Sequence, residues 1–326
     1  MNDKDQLKDK EYALSQLQDL PGVGPATAGV LFTTGYGTID SIAAATISDL
    51  SAIGSIGSVT AQKIIAAAQD ALGLNFGTAT AALEFHQFMP RITTSSEQLD
   101  CLLGGAGIAC GVITEFYGPF DSGKTEVAHQ LCVTAQLPSE LGGLVTEEFP
   151  IIKIIYIDTE GVFQRDRIAK IASRWPVLKP DDVLANITVE RVASFNEQAK
   201  FIRTLQNLLK SGLYGVCIVD SLLSRRRSEI KSLRLGERQQ LLFDQLRLLE
   251  RMAEKAKTAI IITNDVGSAG VRSSYGGQIV ADHCAVRLYF RKIRNEKHRV
   301  RVFDCPILPE SITEFRITDL GIEDSL

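Results

Sequence analysis

Tyr117-Gly118-Pro119-Phe120-Asp121-Ser122-Gly123-Lys124-Thr125 fits the pattern G-x-x-x-x-G-K-[ST]. The apolar run Gly111–Tyr117 before it reads as a buried strand, and Glu126-Val127-Ala128-His129-Gln130-Leu131 after it as a helix. That strand–loop–helix setting separates a phosphate-binding loop from a chance glycine turn. Glycines let the backbone curl so that successive N–H groups point at anionic oxygens, and the helix N-terminus adds partial positive charge. In such a loop Lys124 reaches the β- and γ-phosphates and the Thr125 hydroxyl ligates Mg2+. The expected nucleotide contacts are Gly118, Pro119, Phe120, Asp121, Ser122, Gly123, Lys124 and Thr125, with ATP and Mg2+ as cofactors.

A phosphate loop needs a second acid for its metal. Tyr214–Val219 is an apolar strand ending in Asp220, whose carboxylate is placed to hold Mg2+ beside Thr125. A second strand ends at Ile157-Asp158-Thr159-Glu160-Gly161, and a carboxylate at the tip of a neighbouring strand can activate an attacking water. Lys124 and Glu160 are therefore the candidate catalytic residues.

Around these acids the chain alternates strand and helix. Strands are predicted at Val112–Tyr117, Ile151–Ile157, Val183–Val189, Gly215–Val219 and Ala259–Ile262. Helices are predicted at Lys124–Ala135, Arg165–Arg174, Asn196–Lys210 and Gly236–Lys257. Continuous apolar strands with intervening helices imply an α/β fold with a mostly parallel sheet covered on both faces. Ala285–Lys292, Arg299–Cys305 and Ile312–Ile317 alternate instead, as antiparallel strands added at a sheet edge do.

The N-terminal part is different. Residues 1–10 are charged without an apolar period, and Tyr12 to about Leu74 reads as short helices broken by glycines. Gly22-Val23-Gly24-Pro25-Ala26-Thr27-Ala28 and Ser55-Ile56-Gly57-Ser58-Val59-Thr60-Ala61 repeat at a fixed offset, each opening a helix, Ala28–Phe32 and Ala61–Leu72. This looks like a helix–hairpin–helix, whose helix N-terminus can hold a DNA phosphate without reading bases. Ser55 replaces a hairpin glycine in the second copy, and a protein-docking module is the alternative. The domains expected are 1–72 (helical), 73–90 (linker) and 91–326 (core). The linker isolates Phe76-Gly77-Thr78-Ala79, an aromatic that folds back on its own domain or inserts into a neighbour.

Bulk properties bound the partners. The chain has 326 residues, 45% apolar and 23% charged, with net charge −4, so any nucleic-acid contact is local. Cys101, Cys110, Cys132, Cys217, Cys284 and Cys305 form no C-x-x-C pair and read as reduced structural thiols. Neither a signal peptide nor an apolar stretch of membrane length is present, which implies an intracellular, soluble protein without a membrane partner.

Taken in order, Leu20–Ala28, Phe76–Ala79, Ile92-Thr93-Thr94, the phosphate loop, Tyr156–Arg167, Ile218–Ser221, Glu237-Arg238-Gln239-Gln240, Ile262-Thr263-Asn264, Gly276-Gly277 and Leu308-Pro309-Glu310 resemble the archaeal RadA recombinases and their eukaryotic relatives. The resemblance covers nearly the whole chain. It implies a RecA-like ATPase core, assembly on single-stranded DNA as a helical filament (or a ring), DNA-dependent ATP hydrolysis and strand exchange with duplex DNA during repair and recombination. Mediators are possible partners, and the location is the nucleoid-associated cytoplasm if archaeal, the nucleus if eukaryotic.

Residue by residue, the resemblance implies that Phe76 and Ala79 dock on the next protomer. Arg167 matches an arginine lying against adenine, and Asp304 and Pro306 fall in a segment capping the neighbour's nucleotide. Two DNA loops correspond to Ser224–Leu235, with Arg225, Arg226, Arg227, Lys231 and Arg234, and to Asp265–Tyr275, with Arg272 and Tyr275. The first lacks the usual Gly-Arg-Gly turn. The second is shorter than usual, is rich in small residues and is expected to be mobile without DNA. Asp265 also stands where the family has a Gln linking the γ-phosphate to this loop. A like charge at ~4 Å costs roughly 4 kcal/mol at an effective dielectric of about 20, so Asp265 is expected to turn away, bind a cation or be protonated. These departures bear on strand exchange more than on ATP binding. The alternative is a paralogue that binds ATP and assists another recombinase.

Overall fold

The computed structural model describes residues 13–71, 89–209, 212–223, 234–267, 270–294 and 297–325. The chain divides into two compact units, Met1–Gln87 and Phe88–Leu326.

The first unit is all helical: α1 over 13–18, α2 (Pro25–Thr33), α3 (Ile39–Ala43), α4 (Ile47–Ser51) and α5 (Ser58–Ala71). Reciprocal side-chain and backbone bonds start the two shortest helices, Thr38 with Ser41 and Thr46 with Asp49. Leu17, Leu31, Ile42, Leu50, Ile64 and Ala68 form its core, all fully buried. The two repeat helices start at Pro25 and Ser58, three residues earlier than the apolar pattern suggested, because the hairpin turns feed directly into them. The left-handed residue of the first turn is Gly22 (φ +90°); in the second it is Gly54 (φ +72°), one position ahead of Ser55. Gly54 thus restores the turn that Ser55 lacks.

The second unit carries a nine-stranded sheet ordered β13-β12-β11-β10-β3-β7-β6-β4-β5. Its strands are β3 (Ile113–Tyr117), β4 (Lys153–Asp158), β5 (Ile187–Arg191), β6 (Tyr214–Leu223), β7 (Ala259–Asn264), β10 (Val286–Lys292), β11 (Lys297–Asp304), β12 (Ile312–Thr318) and β13 (Gly321–Asp324). A short pair, β1 (Arg91–Ile92) and β2 (Ile108–Ala109), precedes it, with helix α6 (Glu97–Leu102) between them in the chain. Alternate residues of the central strands face opposite layers. Phe116, Tyr156 and Ile218 pack under α7 (Lys124–Thr134) and α8 (Arg165–Ala172), while Ile155, Val219 and Ile262 meet α10 (Phe195–Leu209) and α11 (Leu235–Ala256). An α/β core with a mostly parallel sheet is what the structure shows.

Three expectations need correction. Val183, Leu184 and Ala185 are not strand but the end of helix α9 (Pro180–Ala185), because Pro180 occupies the first turn and Asp181 and Asp182 favour its N-terminus. The strand begins only at Ile187, and as the edge of the sheet it is mostly exposed. Second, β10 is not purely antiparallel: it pairs parallel to β3 on one side and antiparallel to β11 on the other, joining the two halves of the sheet. Third, Ile151 lies before β4 and is half exposed, at 50%.

One buried charge pair sits inside this sheet. Arg287 Nε of β10 donates to Glu115 Oε2 of β3 at 2.8 Å, with both side chains out of solvent. Asn264 Nδ2, at the end of β7, donates to the other carboxylate oxygen at 3.1 Å, so three adjacent strands share one carboxylate. Glu115→Ala strands Arg287 in the interior and should lower the unfolding free energy by about 3–5 kcal/mol in urea titrations. A loss under about 1 kcal/mol would contradict a structural role for the pair.

Candidate active site

The phosphate loop connects β3 to α7, at the C-terminal ends of the parallel strands. Gly118 has no space for a side chain: a Cβ there would lie 2.2 Å from the Phe290 carbonyl oxygen of β10. Gly123 caps α7 with φ +96°, and Asp121 also lies in the left-handed region at φ 60°. His298 Nδ1 meets the Ser122 carbonyl oxygen at 3.0 Å, and Lys292 Nζ pairs with Asp121 at 2.6 Å, so the β10–β11 hairpin forms the floor of the loop. Pro119 and Phe120 are exposed, Phe120 by 80%.

Lys124 folds back into this cradle. Its Nζ donates to the Gly118 and Pro119 carbonyls, both at 2.9 Å, and to Ser122 Oγ at 3.4 Å. Asp265 Oδ1 lies 3.7 Å away. Burial pushes the Lys124 ammonium below its usual pKa, opposed by the carboxylates of Asp265, Asp220 and Glu160. The cation that Asp265 meets is the loop's own lysine.

Asp220 is 3% exposed and is met by three hydroxyls. Thr125 Oγ1 donates to Oδ2 at 3.0 Å and the Tyr156 phenol to the same oxygen at 2.5 Å, while Thr263 Oγ1 donates to Oδ1. Burial and the Asp220 charge push the Tyr156 phenol well above its usual pKa, keeping it a donor. A threonine hydroxyl beside a carboxylate is an oxygen donor set suited to Mg2+, and the loop's glycines and helix N-terminus suit phosphate, so the residues present fit both groups.

Glu160 sits in the loop after β4 and accepts from Ser221 Oγ at 2.8 Å, one residue beyond Asp220. Asp158 fixes this loop. Its Oδ1 accepts the N–H groups of Glu160, Gly161 and Val162 at 3.1, 2.6 and 3.1 Å, and Oδ2 accepts Phe163 N–H at 3.3 Å and Arg191 Nη1 at 3.1 Å. Tyr156, Thr263, Ser221, Asp158 and Arg191 were not singled out from sequence. An acid at the end of an otherwise apolar strand is the signal available for Asp158, whereas Tyr156, Ser221 and Thr263 lie within their strands and carry none.

Other candidates are placed apart from this cluster. All three guanidinium nitrogens of Arg167 are engaged, by Glu126 Oε2 and by the Asp319 and Thr318 carbonyls, each at 2.7 Å, leaving only its flat face for a ring. Antiparallel β11 carries Asp304 back toward the start of β10, away from the phosphate loop, and both Asp304 and Pro306 are exposed. Arg234 is exposed just before α11; Arg225, Arg226, Arg227 and Lys231 lie outside the described residues, as do Phe76 and Ala79.

The second loop is not irregular. It forms an antiparallel hairpin of β8 (Val266–Gly267) and β9 (Gly270–Ser274), with Val266 opposite Ser274 and Arg272 on β9. Its base is tied to β7: Tyr275 N–H donates to the Asp265 carbonyl at 3.0 Å, and Asn264 Nδ2 to the Tyr275 carbonyl at 2.7 Å. Tyr275 is half-buried against the α11 core layer, not held out as a free ring.

The Asp158 clamp is testable through stability. Asp158→Ala leaves four N–H groups without their acceptor and should cost at least about 2 kcal/mol in thermal unfolding, with a smaller loss for Asp158→Asn. Both variants within about 0.5 kcal/mol of wild type would contradict it.

Comparison with known proteins agrees with this geometry. The Rad51 family profile matches residues 86–325, and a SAM-like helix-hairpin-helix tandem matches residues 14–70. The chain is 41% identical over 326 residues to the DNA repair and recombination protein RadA of Ignicoccus hospitalis, covering 98% of each. It is 40% identical over 329 residues to that of Aeropyrum pernix, covering 99% of this chain and 98% of the relative. For Metallosphaera sedula the identity is 38% over 331 residues, covering 98% and 99%. A family match over most of the chain, with relatives this similar from end to end, shows that the protein belongs to the Rad51 family.

Proposed function

We propose that this chain is a DNA-dependent ATPase that polymerises on single-stranded DNA and promotes strand exchange in DNA repair and recombination. The observation that carries the reading is the convergence of Lys124, Thr125, Asp220 and Glu160 at the ends of β3, β6 and β4, beside a hairpin rooted on β7. Lys124 and the loop N–H groups would hold the phosphates, and Thr125 with Asp220 would hold Mg2+, which neutralises phosphate charge. Glu160, oriented by Ser221 and by the Asp158 clamp, is the carboxylate that would take a proton from the attacking water.

Assembly is supported from the edge of the sheet. Among the described residues β5 pairs only with β4, and its Val189 is 39% exposed. Such an edge accepts an extended segment with one apolar anchor, which the linker residues Phe76 and Ala79 supply. For single-stranded DNA we assign Arg225, Arg226, Arg227, Lys231 and Arg234 of the first loop and Arg272 of the hairpin; Tyr275, packed at the hairpin base, is a weaker candidate. The helical unit adds little charge for DNA: over residues 13–71 one lysine (Lys63) faces four aspartates (Asp19, Asp40, Asp49, Asp70), leaving −3. That balance favours a docking role for it. Archaeal relatives point to the nucleoid-associated cytoplasm.

A second reading, an accessory paralogue that binds ATP without exchanging strands, is favoured by Asp265 against Lys124 and by the short hairpin.

Steady-state hydrolysis with and without single-stranded DNA tests the site. Lys124→Ala should abolish turnover, and Glu160→Gln should retain nucleotide while losing at least about 100-fold in kcat; wild-type hydrolysis in either variant would contradict the assignment. Phe76→Glu should give a folded protein that no longer raises light scattering with ATP and DNA. Unchanged scattering would remove Phe76 from assembly.

A further inference from the structure

Lys124 has three hydrogens to donate, and in this chain protein acceptors already surround it. Two are carbonyls of its own loop at 2.9 Å and one is the Ser122 hydroxyl. The remaining neighbour is different in kind: a carboxylate, Asp265 Oδ1, 3.7 Å from Nζ, on a side chain only 29% exposed. Among these neighbours of the ammonium, Asp265 alone brings charge and comes from outside the phosphate loop.

We propose that Asp265 determines which nucleotide this site prefers, discriminating against a triphosphate and in favour of a diphosphate. The proposal rests on the nucleotide reading of the loop given above. A phosphate loop holds α- and β-phosphates mainly with backbone N–H groups and its helix N-terminus; its lysine reaches the β- and γ-phosphates, and for the γ-phosphate it is the loop's main contact. Asp265 touches none of that backbone among its recorded contacts; it touches the lysine. A γ-phosphate therefore shares Lys124 with a second anion or displaces it, whereas a diphosphate meets the carboxylate less directly.

The backbone that carries the carboxylate is held on both sides. Asp265 N–H donates to Asn264 Oδ1 at 3.1 Å, and its carbonyl accepts Tyr275 N–H at 3.0 Å. Asn264 is in turn fixed by its bond to the fully buried Glu115. Either the Asp265 side chain turns alone, or the base of the β8–β9 hairpin moves with it. Whatever holds that hairpin in its displaced position favours the triphosphate by the same factor, since coupling between two sites is reciprocal. A neutral amide at position 265 would keep the hydrogen-bonding capacity and remove the competing charge.

The test is equilibrium binding of Mg2+-ADP and of a non-hydrolysable Mg2+-ATP analogue to the full-length protein without DNA. Wild type, Asp265→Asn and Asp265→Gln are compared by calorimetry. The wild type is expected to bind the diphosphate at least as tightly as the triphosphate analogue. Both variants should shift the affinity ratio toward the triphosphate by about tenfold or more, with diphosphate affinity changed by less than about threefold, which separates this effect from general loosening of the site. A ratio that moves less than threefold in folded variants overturns the proposal. So does a wild type that binds the triphosphate analogue more than tenfold tighter than the diphosphate, a result that needs no variant. A wild type that binds neither nucleotide overturns the nucleotide reading, and the proposal with it.

Discussion

The Asp220 carboxylate is the constraint on which the site depends. A buried carboxylate without partners is costly, and here hydroxyls from α7, β4 and β7 converge on it through Thr125, Tyr156 and Thr263. Those bonds fix the first turn of the helix after the phosphate loop against the ends of three neighbouring strands. They also leave Asp220 and Thr125 side by side, which is the oxygen pair a divalent cation needs. The same bonds that satisfy a buried charge therefore hold in place the pair proposed for Mg2+.

A second buried carboxylate connects the nucleotide side of the sheet to the hairpin. Glu115 lies two residues before the end of β3 and is shared by Arg287 and Asn264. Asn264 is the last residue of β7, and beyond it Asp265 faces Lys124 while Tyr275 closes the hairpin. Asn264, Asp265 and Tyr275 thus link the phosphate loop to the proposed DNA element, through the 3.7 Å Lys124–Asp265 ion pair and the hydrogen bonds behind it.

Much of this was legible in the chain. The phosphate loop, the two acid-tipped strands and the alternation of apolar strands with helices follow from local patterns, since each needs only a short window of sequence. What was not legible depends on who neighbours whom. Tyr156 and Thr263 read as ordinary strand residues, and only the order β7-β6-β4 brings them to Asp220. Val183 misled because an apolar triplet fits strand and helix equally, and the deciding signal was Pro180 three positions earlier. The hairpin at 266–274 was hidden for the opposite reason: glycines and serines carry little pattern, and its pairing is set by the strand ends that hold it.

In the proposed reading a nucleotide site, an assembly edge and DNA-facing loops work together in ATP-driven strand exchange. The most direct measurement is joint-molecule formation between single-stranded DNA and a homologous duplex, with Mg2+ and with or without ATP. The account predicts ATP-dependent joint molecules that disappear with Lys124→Ala. Filaments that form on single-stranded DNA with ATP yet give no joint molecules would contradict it and place the chain among the accessory members of its family.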